Sequence, residues 1–335
     1  MSTRYPGGII TKTPVVPAGP YQCGAAPGIW TLDQQLQAQK LGIWPVAGNE
    51  VETFAIFAIG STGTPSTIKN KYTYSGDVNA VATSATVASY NQSAAGNATR
   101  GIFAIGTGTV TKVSTRDKHT YSGCVVASAT AASAASELGA ATGNSTRGIF
   151  ALGTTCSAFS TTRNIYTYSG DTNGIAAAAS TATRAGAAVG NSTVGIFALG
   201  ERYICCNPEP TSTRNKYTYS SCTSAAATAS ANTSAIGAAA GNSTIGIFAL
   251  GSTGTLRNKY TYATCTNASA TASSNNSAAG AAAGSSTIGI FAIGSNVTTR
   301  NKYTYSGDTS AAATASSATS YGGSATSNGT TGVNI

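Results

Sequence analysis

Along the chain, short blocks in which every residue is apolar alternate with blocks in which apolar and polar residues take turns. Ile102, Phe103, Ala104 and Ile105, between Gly101 and Gly106, form the first kind. It returns before Gly153, Gly200, Gly251 and Gly294, with an altered copy, Ala55 to Ile59, before Gly60. A continuous apolar run this short, closed by glycine, predicts a strand covered on both faces. The second kind is clearest in Asn301, Lys302, Tyr303, Thr304, Tyr305. Its alternation puts the two Tyr on one face and Lys302 and Thr304 on the other, which predicts a half-buried strand. Ser-Gly-Asp turns at Asp77, Asp171 and Asp308 then lead into Ala/Ser/Thr segments such as 311–317, and Gly-Asn-Ser-Thr turns punctuate these before the next apolar block. Ala favours helix there and Thr favours strand; the regular turns decide for strand.

The two blocks recur together, so the chain is a repeat array. The glycines closing the apolar block, Gly60, Gly106, Gly153, Gly200, Gly251 and Gly294, are 46, 47, 47, 51 and 43 residues apart. The Asn or Asp of the second block falls at Asn70, Asp117, Asn164, Asn215, Asn258 and Asn301. From each of these to the next closing Gly is always 36 residues, whereas from closing Gly to Asn or Asp the distance is 10, 11, 11, 15, 7 and 7. Every change of length falls in one loop per repeat, and such loops gather on one face, often the binding face.

Each repeat holds about four short strands, too few to bury their own faces. Six units closed in a ring leave only short edges, and the expected fold is all-β: a six-bladed β-propeller over 46–335, preceded by an extended arm over 1–45. Gly332 to Ile335 stand in register with a seventh apolar block, and are expected to pair beside the first unit and lock the ring.

Composition narrows the function. The chain has 335 residues, 41% hydrophobic and 9% charged, with 16 Tyr and 8 Phe, which argues against disorder. No apolar run approaches the length of a membrane span, no basic and apolar leader opens the chain, and assembly in a cytoplasm without membrane insertion is expected. Seven Cys (23, 124, 156, 205, 206, 222, 265) fit no disulfide framework, although a bridge between Cys156 and Cys205 or Cys206 is conceivable. The one His, His119, stands where other repeats have Tyr, and no carboxylate pair or nucleophile set is placed for catalysis. The expectation is a non-enzyme with no metal and no cofactor.

The repeats resemble, loosely, kelch-type blades, although kelch blades carry paired Gly and a Trp that these lack. They resemble more closely the propeller-like repeats of structural proteins of tailed bacteriophages. The arm, with Ala26, Pro27, Gly28, Ile29, Trp30, Thr31, Leu32, Asp33, Gln34, Gln35 and then Gly42, Ile43, Trp44, Pro45, is similar to the lead-in segment of many phage virion proteins. The arm holds both Trp and six of the nine Pro, and Leu32 to Leu41 is a candidate helix capped at Thr31. Trp30 and Trp44 are the candidate docking residues toward other virion proteins.

Two further sets are candidates for contact. The loops of repeats three and four, the latter the longest of the array, supply Phe159, Arg202, Tyr203, Ile204 and Asn207. Basic residues flank one repeat position all round the array (Lys71, Arg116, Arg163, Arg214, Arg257 and Arg300 among them), a ring fit to attract an acidic partner or to guard strand edges. Nucleic acid is not expected, because no cleft interleaves exposed aromatics with these charges. The resemblance implies a virion component, such as a tail fibre or baseplate appendage within a multi-subunit assembly, presenting loops to a neighbouring subunit or to a host surface glycan or protein. The alternative is a carbohydrate- or protein-binding kelch-like propeller acting in a cell.

Overall fold

The computed structural model describes residues 30–40 and 53–329, apart from 105, 157, 199, 205–206 and 252–253. The chain divides into Met1–Glu52 and Thr53–Ile335, so residues 46–52 go with the first unit. In that unit Leu32–Lys40 is a helix. Thr31 caps it reciprocally: the Gln34 N–H donates to Thr31 Oγ1 at 3.2 Å and the Thr31 N–H to Gln34 Oε1 at 2.9 Å. This is a capping box, with Gln34 at the third helical position.

The second unit is a propeller of six four-stranded antiparallel sheets. In blade 3 the strands run outward as Ala140–Gly143, Arg147–Ala151, Arg163–Thr167 and Thr172–Ala176. The innermost strands of the others are Ser93–Gly96 in blade 2, Ala187–Gly190 in blade 4, Ala238–Gly241 in blade 5 and Ala281–Gly284 in blade 6. The Ala/Ser/Thr segments after the Ser-Gly-Asp turns begin as strands, such as Thr309–Ala313, but these are the outermost; a separate small-residue strand before each Gly-Asn-Ser-Thr-type turn, such as Ala238–Gly241, lines the axis, with the Gly-Ile-Phe-Ala strands second. Six strands converging on one axis leave room only for small side chains. Ala95, Ala240 and Ala283 have no exposed surface, and the axial cavity, about 60 Å³, is walled by Ala94, Ala141, Ala187, Ala239, Ala282 and Ala325.

The same crowding explains the glycine that opens each apolar block. A Cβ on Gly148 would lie 2.9 Å from the Tyr168 hydroxyl and 3.1 Å from Ala95 Cβ of the preceding blade. In blades 2 to 6 the Tyr that ends the second block thus lies over the bare backbone of its own blade, and the two sequence motifs are one packing unit; in blade 1 Ala55 stands at the glycine position.

Closure differs from the expectation. Blade 1 takes Phe54–Ala58, Lys69–Thr73 and Val78–Ala82 from the start of the array and its innermost strand, Ser324–Ser327, from the end, paired as Ala55↔Ser327 to Ala58↔Ser324. The Phe54 N–H donates to Asn328 Oδ1 at 2.7 Å, and the Asn328 N–H returns to the Phe54 carbonyl at 3.1 Å. A blade begins one strand before the apolar block, so the Ala-type strand after the sixth repeat closes the ring. Gly332 to Ile335, expected in that role, lie outside the described residues.

A second closure encircles the axis at the loop end. Asn91, Leu138, Ala185, Ile236, Ala279 and Gly322 precede the innermost strands, all with left-handed backbone at φ between 51 and 62°. Leu138 N–H donates to the Asn91 carbonyl, Ala185 to Leu138, Ile236 to Ala185, Ala279 to Ile236 and Gly322 to Ala279, at 2.8 to 3.1 Å. Gln92 N–H completes the circle on the Gly322 carbonyl at 3.1 Å. Left-handed backbone costs about 1–2 kcal/mol for a residue such as Ile, so five non-glycine residues hold this conformation because the circle of hydrogen bonds requires it.

Candidate functional site

The loops of variable length leave the array at this same end. In blade 4 the loop becomes a hairpin, Glu201–Ile204 paired with Asn207–Pro210 in the register Glu201↔Pro210, Tyr203↔Pro208 and Ile204↔Asn207. Glu201, Tyr203, Pro208 and Pro210 therefore share one face, and Arg202, Ile204, Asn207 and Glu209 the other. Pro208 and Pro210 lack an N–H, so the outer edge cannot take up a further strand.

The hairpin is fixed to the loop of blade 3. Tyr203 stacks on Phe159 with ring centroids 4.1 Å apart and planes 21° from parallel. The Arg184 guanidinium lies 4.7 Å over the Phe159 ring and its Nε donates to Glu201 Oε2 at 2.9 Å. Phe159 is 8% exposed beneath this stack, while Tyr203 keeps 52% of its surface open. Arg202 and Asn207 are exposed and Ile204 is half-buried. The five loop residues expected from the sequence are thus gathered on one outcrop, with Arg184 the member that sequence reasoning missed. Its signal was a lone charge in a crossover otherwise made of Ala, Ser and Thr.

A polar cluster continues the outcrop toward blade 2. Lys112 Nζ lies 3.3 Å from Glu137 Oε1 and donates to the Cys156 carbonyl at 2.6 Å. The Thr107 hydroxyl and Asn91 Nδ2 also donate to Glu137, at 2.5 and 3.1 Å. Burial raises the Glu137 carboxyl, but the hydrogen bonds from Thr107, Asn91 and Lys112 outweigh it and hold it below its ordinary value. Cys156 is an exposed free thiol, and the side chains of Cys205 and Cys206 lie outside the described residues.

The basic ring is not a surface. Arg116, Arg163, Arg214, Arg257 and Arg300 are 0 to 2% exposed, which excludes both the attracting ring and the solvated strand edge expected from the sequence. Each inserts into the next blade, its guanidinium 4.3 to 4.5 Å over a Phe ring: Arg116 on Phe150, Arg163 on Phe197, Arg214 on Phe248, Arg257 on Phe291 and Arg300 on Phe57. Arg300 shows the hydrogen bonds, with Nη1 to Asn79 Oδ1 at 2.7 Å and Nη2 to Asn70 Oδ1 at 3.3 Å. Burial pushes these guanidinium groups down to about 10, and they stay charged at neutral pH. A desolvated cation on an aromatic face contributes about 2 kcal/mol or more, so the ring is an interlock between blades. Two residues further along, Lys71 is half-buried, its Nζ 4.5 Å over Phe54. Lys118, Lys259 and Lys302 pair with Asp171, Asp308 and Asp77 of the next blade at 2.7, 3.3 and 3.7 Å.

Of the candidate docking residues, Trp30 is half-buried just before the helix Leu32–Lys40, and Trp44 lies outside the described residues. No helix of the described residues is long and apolar enough to cross a membrane, and among them no group of three or more His, Cys, Asp or Glu is placed to hold a metal ion.

Solved structures that share this fold include YjhT and TolB. YjhT matches with a TM-score of 0.55 at 8% identity, over 68% of this chain and 84% of its own. TolB from Acinetobacter baumannii matches with a TM-score of 0.54 at 10% identity, over 90% of this chain and 75% of its own. Both are β-propellers, and the likeness concerns the fold alone. No family model and no curated protein sequence matches the chain.

Proposed function

We propose that this chain is a non-enzymatic binding propeller of a tailed-phage virion, part of a tail fibre, baseplate or other appendage. It docks on other virion proteins through its N-terminal segment and meets a neighbouring subunit or a host surface with the loop outcrop of blades 3 and 4. One observation carries the binding part: the outcrop holds a half-exposed Tyr rigid on a buried Phe, Arg and Glu, and bars strand addition with two Pro. Tyr and Arg held rigid are the residue types that dominate interface energies, and a pre-ordered contact loses less entropy on binding. The virion part rests on the resemblance of the repeats and of residues 26–45. The one His is fully buried, which supports a role in packing.

The test is made on assembled particles. Mass spectrometry of purified virions is expected to find the chain, and particles carrying a Gly/Ser link in place of residues 203–208 are expected to retain it but attach poorly. Finding the chain only in the soluble cell fraction would favour the cellular interaction module.

A further inference from the structure

Five of the six junctions between blades follow one design. An Arg of one blade lies over a Phe of the next and donates to Asn or Ser side chains there, as Arg116 does to Asn173 and Asn164, Arg163 to Ser224 and Asn215, and Arg257 to Ser310 and Asn301. The junction between blades 1 and 2 departs at four positions together. Lys69 replaces the Arg, Asp117 the third-strand Asn, Val126 the fourth-strand Asn or Ser, and His119 the Tyr.

The substitutions change what is buried. Lys69 and Asp117 are each 1% exposed, with Nζ 3.6 Å from Oδ2, and the ammonium lies 4.5 Å over Phe103. Asp117 also accepts the Thr86 N–H at 2.9 Å and the Thr86 hydroxyl at 2.5 Å. His119 has no exposed surface, and neither of its ring nitrogens has a hydrogen-bond partner. The titratable groups near it are Lys69 of blade 1 and, in its own blade, Asp117 and Tyr121, whose ring lies 6.1 Å away. Lys71 of blade 1 is turned to Phe54.

We propose that the junction between blades 1 and 2 is an acid-operated latch, at which the Lys69, Asp117 and His119 cluster lets blade 1 part from blade 2 while the other five junctions hold. A proton on His119 in the closed junction would add a second buried cation beside Lys69 against one carboxylate. Burial, then the Lys69 charge, push the imidazole down to about 4 from its ordinary 6.5. The closed junction therefore stays unprotonated where an open one takes a proton, and closure is lost as pH falls from 6.5 toward 4. Lys69, pushed down to about 8 by burial against the pull of Asp117, is charged throughout that range and adds no pH dependence there. His119 is the one His of the chain, so no other imidazole titrates in this window.

The experiment is hydrogen exchange on the full chain at pH 7 and pH 5, with exposure times scaled for the intrinsic rate. From ordinary and shifted values of 6.5 and about 4, the opening constant at this junction rises about twenty-fold between pH 7 and pH 5. Protection is expected to fall by that order in 69–82 and 116–129 and to hold in 257–313. His119→Phe is expected to abolish the step. So is the fourfold variant Lys69→Arg, Asp117→Asn, His119→Tyr, Val126→Asn, which copies the other junctions and serves if the single variant does not fold. Equal protection at the two pH values, a loss spread evenly round the ring, or a step that survives both variants would overturn the latch.

Discussion

Replacing Arg257 tests whether the buried cations hold the blades together. Its guanidinium lies 4.5 Å over Phe291, donates to Ser310 Oγ at 3.0 Å and reaches Asn301 Oδ1 at 3.4 Å, with 2% of the residue exposed. Arg257→Ala removes about 2 kcal/mol of cation–π attraction and hydrogen bonds from a charged donor worth about 1.5–3 kcal/mol. It also opens a cavity. Removing the charge lifts part of the burial penalty of a cation that pairs with no carboxylate among the described residues, so the net loss is set at about 3–5 kcal/mol. Arg257→Met refills much of the volume and should lose about 1–3 kcal/mol. The attraction itself is isolated by a double-mutant cycle with Phe291→Leu in urea unfolding, where the expected coupling is about 1–2 kcal/mol. Phe103, which lies under Lys69 at another junction, serves as the control partner, and its cycle with Arg257 should be additive. Coupling no larger for Phe291 than for Phe103, or Arg257→Met more stable than the parent, would refute the interlock.

Three further outcomes follow from the geometry. Ile236, at φ 56° in the axial circle, can become Asn, the type already present at Asn91, and relief of the left-handed strain should raise stability by up to about 1 kcal/mol; a lower melting temperature would show that the Ile side chain matters more than its backbone. Deleting 324–329 removes the strand paired with Phe54–Ala58 and should expose blade 1 to proteolysis, whereas unchanged digestion would place closure elsewhere. Burial raises the Asp308 carboxyl, but hydrogen bonds from the Thr271 N–H, the Tyr303 hydroxyl and Lys259 outweigh it and hold it at about 2, so its contribution, complete above 3.8, is lost as pH falls through 2; Asp308→Asn should flatten acid unfolding there, and an unaltered curve would remove Asp308 from the account.

The period, the blade count and the capped helix were legible because each is written in local residue type: Gly-Ile-Phe-Ala, Tyr-Thr-Tyr and Thr31 before Gln34 are signals a few residues long. The fate of Arg300 was not. Alternation groups it with Lys302, but both faces of a blade are covered by neighbours, so depth depends on what each side chain meets on the next blade: Arg300 lies over Phe57 and is 1% exposed, whereas Lys302 pairs with Asp77 and is half-buried. The axial circle leaves no mark in composition, since Asn91, Leu138, Ala185, Ile236, Ala279 and Gly322 have no chemistry in common and only ring closure imposes their backbone. The loop face was legible from length variation alone, because Tyr203 and Phe159 lie in the loops freed from the constant 36-residue spacing. Their mutual stacking needed coordinates, because it joins two blades.

The proposed working face is tested most directly by placing a photo-crosslinking residue at Tyr203 or at Thr146, in the exposed turn at the opposite end of the strands, and irradiating the proposed virion assembly or its mixture with host surface material. A cross-linked partner at Tyr203 and none at Thr146 is the predicted result; the reverse, or equal cross-linking at both, would contradict the assignment of the loop face.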